Sequence, residues 1–133
     1  MHAPNRTVAM LAALVMAGTA QAACPLQDLI VTGSVVAAGD GAAIAGASVE
    51  AAWDERATGR MQLTRESATD GSFSLRIAFD TYSGRTFGGR ELCEAQLETI
   101  ELSVTRSGFR PLRRTQPRAS LAEPLRVELS PAS

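Results

Sequence analysis

One histidine, two cysteines, thirteen arginines, no lysine and fourteen carboxylates make up the reactive groups of this 133-residue chain. The histidine is His2, inside an N-terminal segment that reads as removable, so the remaining domain holds no imidazole. A Ser-His-Asp triad, a Cys-His pair and a histidine-ligated zinc all need that ring, and a Ser-Lys dyad needs the missing lysine. Cys24 and Cys93 form no CxxC, which removes the spacing used by thiol redox catalysis and by zinc. Asp40, Asp70 and Asp80 stand at turns, where a carboxylate caps its own backbone, and no calcium-loop spacing exists. The adjacent pair Asp54-Glu55 has the residue types of an acid and base, but neighbours in a strand point apart. Gly84 with Gly88-Gly89 lacks the Lys-Ser/Thr ending of a phosphate loop. No catalytic residue, metal or cofactor is expected.

The chemistry that remains is recognition. Tyr82, Arg85, Phe87 and Arg90 interleave aromatics with guanidiniums in a glycine-rich stretch, the composition of a contact hot spot; folding back over the core end is the competing fate for Tyr82 and Phe87. Arg106, Arg110, Arg113, Arg114 and Arg118 put five cations in thirteen residues, and the even-numbered four share a face if the chain is extended. Anionic glycans or lipid headgroups could bind there, but local pairing with Glu98 and Glu101 on a solvated sheet is the favoured expectation.

The segment that delivers these groups begins with a signal pattern. Residues 1–22 combine a polar start with Arg6, an apolar run from Val8 to Ala17 and a small-residue ending Ala20-Gln21-Ala22. The run is about ten residues, short of the roughly 20 a spanning helix needs. Cleavage after Ala22 leaves a domain of 23–133 with twelve arginines against fourteen acids, too nearly neutral for electrostatic nucleic-acid binding. In an oxidising compartment Cys24 and Cys93 are expected to form a disulfide, which could stabilise by about 4 kcal/mol through loop closure. Lipidation of Cys24 is the minority alternative, against which Gln21 stands where a lipobox prefers an aliphatic.

Period-two alternation recurs between Gly- and Asp-containing turns, so the domain reads as all-β. Leu29, Val31, Gly33 and Val35 alternate in a first strand; Ala47, Val49, Ala51 and Trp53 in a second; Met61 and Leu63 open a third; Phe73, Leu75, Ile77 and Phe79 make the clearest run. A three-residue loop, Thr69-Asp70-Gly71 with Gly71 left-handed, would set Leu63 opposite Ile77 and Met61 opposite Phe79 in a hairpin. Ile100, Leu102 and Val104 form a further strand, and Leu125, Val127 and Leu129 the last, with Pro111 and Pro117 marking edges or irregular chain. Residues 80–96 read as a long functional loop, with a short helical turn around Leu92 among its options; the charges Glu91, Glu94, Glu98 and Glu101 suit a solvated face.

Gly33-Ser-Val35, Ile44-Ala-Gly46-Ala47-Ser-Val49, Thr69-Asp-Gly71-Ser-Phe73-Ser-Leu75, and Leu102-Ser-Val104 followed by Gly108-Phe109-Arg110-Pro111 resemble the carboxypeptidase regulatory-like family. The resemblance spans roughly residues 29 to 130. It implies a transthyretin-like (prealbumin-like), seven-stranded Greek-key β-sandwich used as a non-catalytic accessory, adhesive or structural module. The long 80–96 stretch and the Cys24, Cys93 pair depart from the family pattern. A hydroxyisourate hydrolase of the same fold uses histidines and a C-terminal Tyr-Arg-Gly-Ser, whereas this chain ends Glu-Leu-Ser-Pro-Ala-Ser. The expectation is a periplasmic or secreted module that binds another envelope or extracellular protein. A lipoprotein accessory of an envelope complex and a carbohydrate-binding module are the alternatives, the latter requiring Trp53, Tyr82 and Phe87 on one exposed face.

Overall fold

The computed structural model describes residues 26–55, 58–79, 81–87, 90–95 and 97–133, with the backbone alone for 82–87 and 90–95. The segment 1–22, expected to be a signal, and Cys24 lie outside the described residues. Among the described residues nine strands follow one another: β1 (Gln27–Ala37), β2 (Ser48–Glu55), β3 (Gly59–Glu66), β4 (Ser72–Phe79), β5 (Thr81–Phe87), β6 (Arg90–Ala95), β7 (Thr99–Thr105), β8 (Leu112–Pro117) and β9 (Leu125–Leu129). A 3-10 turn at Arg118–Ala122 precedes β9, and no α-helix occurs among the described residues.

Seven of these strands build an all-β sandwich. One sheet has the order β4-β1-β9 and the other β3-β2-β7-β8, while β5 and β6 pair only with each other. Alternation is the cause: in β4, Phe73, Leu75, Ile77 and Phe79 are buried and Ser72, Ser74, Arg76 and Ala78 are exposed. Val31 and Val35 of β1, Val49 and Ala51 of β2, Leu102 and Val104 of β7 and Val127 of β9 lose all solvent contact between the sheets. β1, β2, β4, β7 and β9 thereby supply the apolar faces that enclose a single core, with Leu63 of β3 and Leu112 of β8 packed against it. β1 runs antiparallel to β4 but parallel to β9, so it is the central strand of its sheet.

The expected hairpin of β3 with β4 is corrected by the structure. The loop itself forms as expected: Ala68 N donates to Ser72 O and Gly71 N to Ala68 O, both at 2.8 Å, with Gly71 at φ +83°. Beyond it the two strands part, β3 joining β2 with Leu63 opposite Ala51 and Met61 opposite Trp53, and β4 joining β1. A pairing rule based on loop length sees only the first rung. Continuing the ladder would have put both strands in one sheet, whereas parting lets β4 close its apolar face on the other sheet, where Leu63 of β3 packs against the core.

Ser67 holds the parting point. Its hydroxyl accepts from Ala47 N at 2.8 Å and donates to Ile44 O at 2.7 Å, while its backbone exchanges bonds with Gly46 and Ala47. Gly33 sits under the ring of Phe73; a Cβ there would stand 2.6 Å from Phe73 Cζ and 2.5 Å from Leu125 O.

One further expectation fails, and one strand went unforeseen. Residues 80–96 read as a loop with a possible helical turn around Leu92, yet β5 and β6 form an antiparallel hairpin that places Leu92 in β6. Pro117, expected to mark an edge or irregular chain, closes β8, an edge strand that the sequence did not reveal and that pairs along β7 from Val104–Leu112 to Thr99–Pro117. The inner positions of β8, Leu112, Arg114 and Gln116, are only half-buried and two of them are polar, so β8 lacks the alternation that marks a strand in sequence.

Candidate functional site

Of the sites proposed from sequence, the hairpin and the pair Arg106 and Arg110 fall at opposite ends of the sandwich, while Arg118 returns along β8 to the hairpin end. The β5–β6 hairpin springs from the end where β4 finishes at Phe79 and β7 begins at Thr99. The arginine segment rounds the other end, between Val104 of β7 and Leu112 of β8.

In the hairpin, Phe87 is opposite Arg90, Arg85 opposite Leu92, Tyr82 opposite Glu94 and Cys93 opposite Ser83, with a bulge between Ser83 and Arg85. This ladder brings Tyr82, Arg85, Phe87 and Arg90 into one two-stranded element. Their side chains, and that of Cys93, lie outside the described residues, as does Asp80. At the hairpin's root Asp54, Leu97, Glu98 and Thr99 line a cleft of about 190 Å³. Asp54 accepts from Arg60 Nη1 at 3.3 Å and Glu55 from Trp53 Nε1 at 3.1 Å, so the adjacent carboxylates are directed to different partners. Trp53 is only 5% exposed in the core, which removes it from the aromatic platform that the carbohydrate-binding alternative required.

The arginine segment departs from its expected ion pairing. Glu101 binds Arg60, on the outer face of the four-stranded sheet, and Glu98 meets this segment only through its carbonyl, which accepts from Arg118 N at 2.8 Å. Among the described residues Arg106, Arg110, Arg113 and Arg118 have no carboxylate partner. Nor do the even-numbered four share a face. Arg106 closes a turn whose O accepts from Phe109 N, Arg110 N donates to Ser130 O, Arg118 opens the 3-10 turn, and Arg114 stands opposite buried Leu102 on the inner side of β8. From there Arg114 Nη2 reaches Arg126 O at 3.3 Å, while its Nε is buried without a partner.

What the fold does assemble is a groove of about 340 Å³ lined by Arg110, Pro111, Leu112, Arg113, Glu128 and Ser130. Pro111 and Leu112 supply an apolar stretch between the two guanidiniums. The one carboxylate in the lining, Glu128, is bound by Arg126 Nε at 3.2 Å, leaving Arg110 and Arg113 uncompensated. A guanidinium offers a planar fork of donors that matches carboxylate, sulfate and phosphate oxygens. The sequence contained both arginines but no signal that Glu128 and Ser130, about 15 residues away along the chain, would complete the groove. Among the described residues no group of three or more His, Cys, Asp or Glu side chains could hold a metal ion, and no helix is long and apolar enough to cross a membrane.

No family model and no curated protein matches the chain. Among solved structures it is similar to catechol 1,2-dioxygenase of Acinetobacter radioresistens, in wild-type and single-substitution forms, at 16% identity and a TM-score of 0.52 over 81% of this chain. It is similar also to 3-chlorocatechol 1,2-dioxygenase of Rhodococcus opacus 1CP, at 12% identity and a TM-score of 0.52 over 79% of this chain. The chain spans 53% and 60% of the length of those enzymes. At these identities the likeness concerns the fold alone, and it joins this β-sandwich to a widely used architecture.

Proposed function

We propose that this chain is an exported, non-catalytic β-sandwich module that binds an acidic segment of another envelope or extracellular protein through the groove at Arg110 and Arg113. The observation that carries the reading is the uncompensated pair of guanidiniums flanking a short apolar floor. A carboxylate-bearing segment would satisfy both forks, while its neighbouring apolar side chain would cover Pro111 and Leu112. Export rests on the pattern of residues 1–22, and the family resemblance supports an accessory role.

Capture of partners from the native envelope, by wild type and by an Arg110→Glu, Arg113→Glu double variant, tests the reading. Binding should weaken by more than about tenfold in the variant, and wild-type binding should fall steeply with added salt. Retained binding in the double variant would remove the groove from the proposal.

The hairpin supports a second reading, because an element outside both sheets can present Tyr82, Arg85, Phe87 and Arg90 to a partner. Replacing residues 82–90 by a Gly-Ser linker separates the two: loss of binding there with full binding by the double variant assigns contact to the hairpin.

A further inference from the structure

An open sheet edge offers unpaired backbone groups, and natural sandwiches guard such edges with charges, prolines, short strands or capping side chains. This sandwich has four edge strands, and three are guarded. In β3, Ser67 N donating to Ala47 O sets the odd positions toward β2 and the even ones outward. Thr64 O on that edge accepts from Arg65 Nη1 at 2.9 Å, and Arg60 and Glu66 flank it. In β8 the outward positions include Pro117, which has no N–H and whose carbonyl accepts from Ser120 at 2.7 Å, while Arg114 is an inward-placed charge. β9 is five residues long between Pro124 and Pro131, and Arg114 caps its Arg126 carbonyl.

β4 carries a single charge, Arg76, paired with Asp28, and an Asp70 cap on its first N–H, but no proline and no side-chain cap over its middle. Val35 N donates to Gly71 O, so the odd positions of β4 direct their backbone groups at β1 and Ser72, Ser74, Arg76 and Ala78 direct theirs outward. Ser72 is engaged, its N–H by Asp70 and its carbonyl by Ala68. The N–H and C=O groups of Ser74, Arg76 and Ala78 have no partner among the described residues. This edge is regular and free of proline, and its outward-facing side chains are small apart from Arg76.

We infer that β4 is the surface on which a second copy of this chain docks, edge to edge and antiparallel, extending two three-stranded sheets into one of six. Charge and the engaged groups of Ser72 select the register, since one centred on Ser74 would need Ser72 to pair with Arg76. A twofold axis through Leu75 places Ser74 opposite Arg76 of the copy and joins them by four backbone hydrogen bonds. The register one step further along would set Arg76 against its own copy, a like-charge pair. Asp28, held by Arg76 at 2.6 Å on the same outer face, offsets each guanidinium beside the junction. Such a contact is isologous and closes on itself, so it ends at the dimer.

The proposal is tested by the mass of the purified full chain in solution, measured by light scattering over a wide concentration range. Wild type should pass from one chain mass to two. Ser74→Lys, which opposes Arg76 of the copy with a like charge, should weaken the dimer, and Ser74→Glu should tighten it. The symmetry repeats each effect, for about a fivefold to tenfold change in dissociation constant in opposite directions. Position 74 is exposed, so both variants keep the fold, and matched circular dichroism melts check it. A chain that stays monomeric at every concentration overturns the inference. So does a dimer that responds equally to both substitutions or to neither.

Discussion

Ser67→Ala removes a single oxygen, yet the structure makes that oxygen the fastener of the point where the chain leaves one sheet for the other. Ser67 is 5% exposed, and its partners belong to Ala47, fully buried, and Ile44, 7% exposed. Truncation strips Ala47 N–H of its acceptor and Ile44 C=O of a donor, and the space left is too small for a replacement water. An unsatisfied buried donor costs about 1–3 kcal/mol and an under-satisfied carbonyl somewhat less, so the expected loss is about 2–4 kcal/mol. Against the 5–15 kcal/mol typical of a domain, that is a large fraction. Urea titration followed through Trp53, the sole tryptophan and a buried one, reports it directly. With a slope of about 1–3 kcal/mol/M the midpoint should fall by about 1–2 M, the slope itself unchanged. Ser74→Ala, on the exposed face of β4, serves as control and should move it little. A Ser67→Ala loss below about 0.5 kcal/mol would refute the reasoning.

Gly33→Ala should destabilise by about 2–3 kcal/mol or more, because the new methyl meets the backbone carbonyl of Leu125, which cannot give way as a side-chain tip would; thermal unfolding checks it, and an unchanged midpoint would show that Phe73 and β9 shift freely. The Asp70 carboxyl is held below its ordinary value, first by the Ser72 hydroxyl and then by Ser72 N–H. Its stabilising effect is therefore present above the unfolded value near 3.9 and lost as pH falls through the lower folded value, so wild type and Asp70→Asn should converge in stability below about pH 4. A gap that widens under acid would contradict this. Thiol labelling of the folded chain without reductant should find neither Cys24 nor Cys93 free, with two labelled thiols disproving the bridge.

Local signals in the sequence carried the all-β class, the strands β1, β2, β4, β7 and β9 with their buried residues, and the loop at Asp70-Gly71. Each of those strands alternates because one face is buried, and Gly71 is required where the backbone turns through φ +83°. Sheet membership was not local. β3 leaves the Gly71 loop to pair with β2 along its whole length, and the Ser67 hydroxyl adds bonds to residues 20 and 23 positions away, partners that no local pattern marks. β8 escaped detection because its inner positions are only half-buried and mostly polar, while β5 and β6 are recognised by their pairing with each other. The same holds for the site. Sequence supplied the arginines and their density, but the ion pairs expected from proximity along the chain went elsewhere: Glu101 met Arg60, 41 residues away. Only the return of the C-terminal strand beside β8 set Glu128 and Ser130 against Arg110 and Arg113 and left those two charges unanswered. Electrostatic partnership is decided by distance through space, which tertiary structure alone provides.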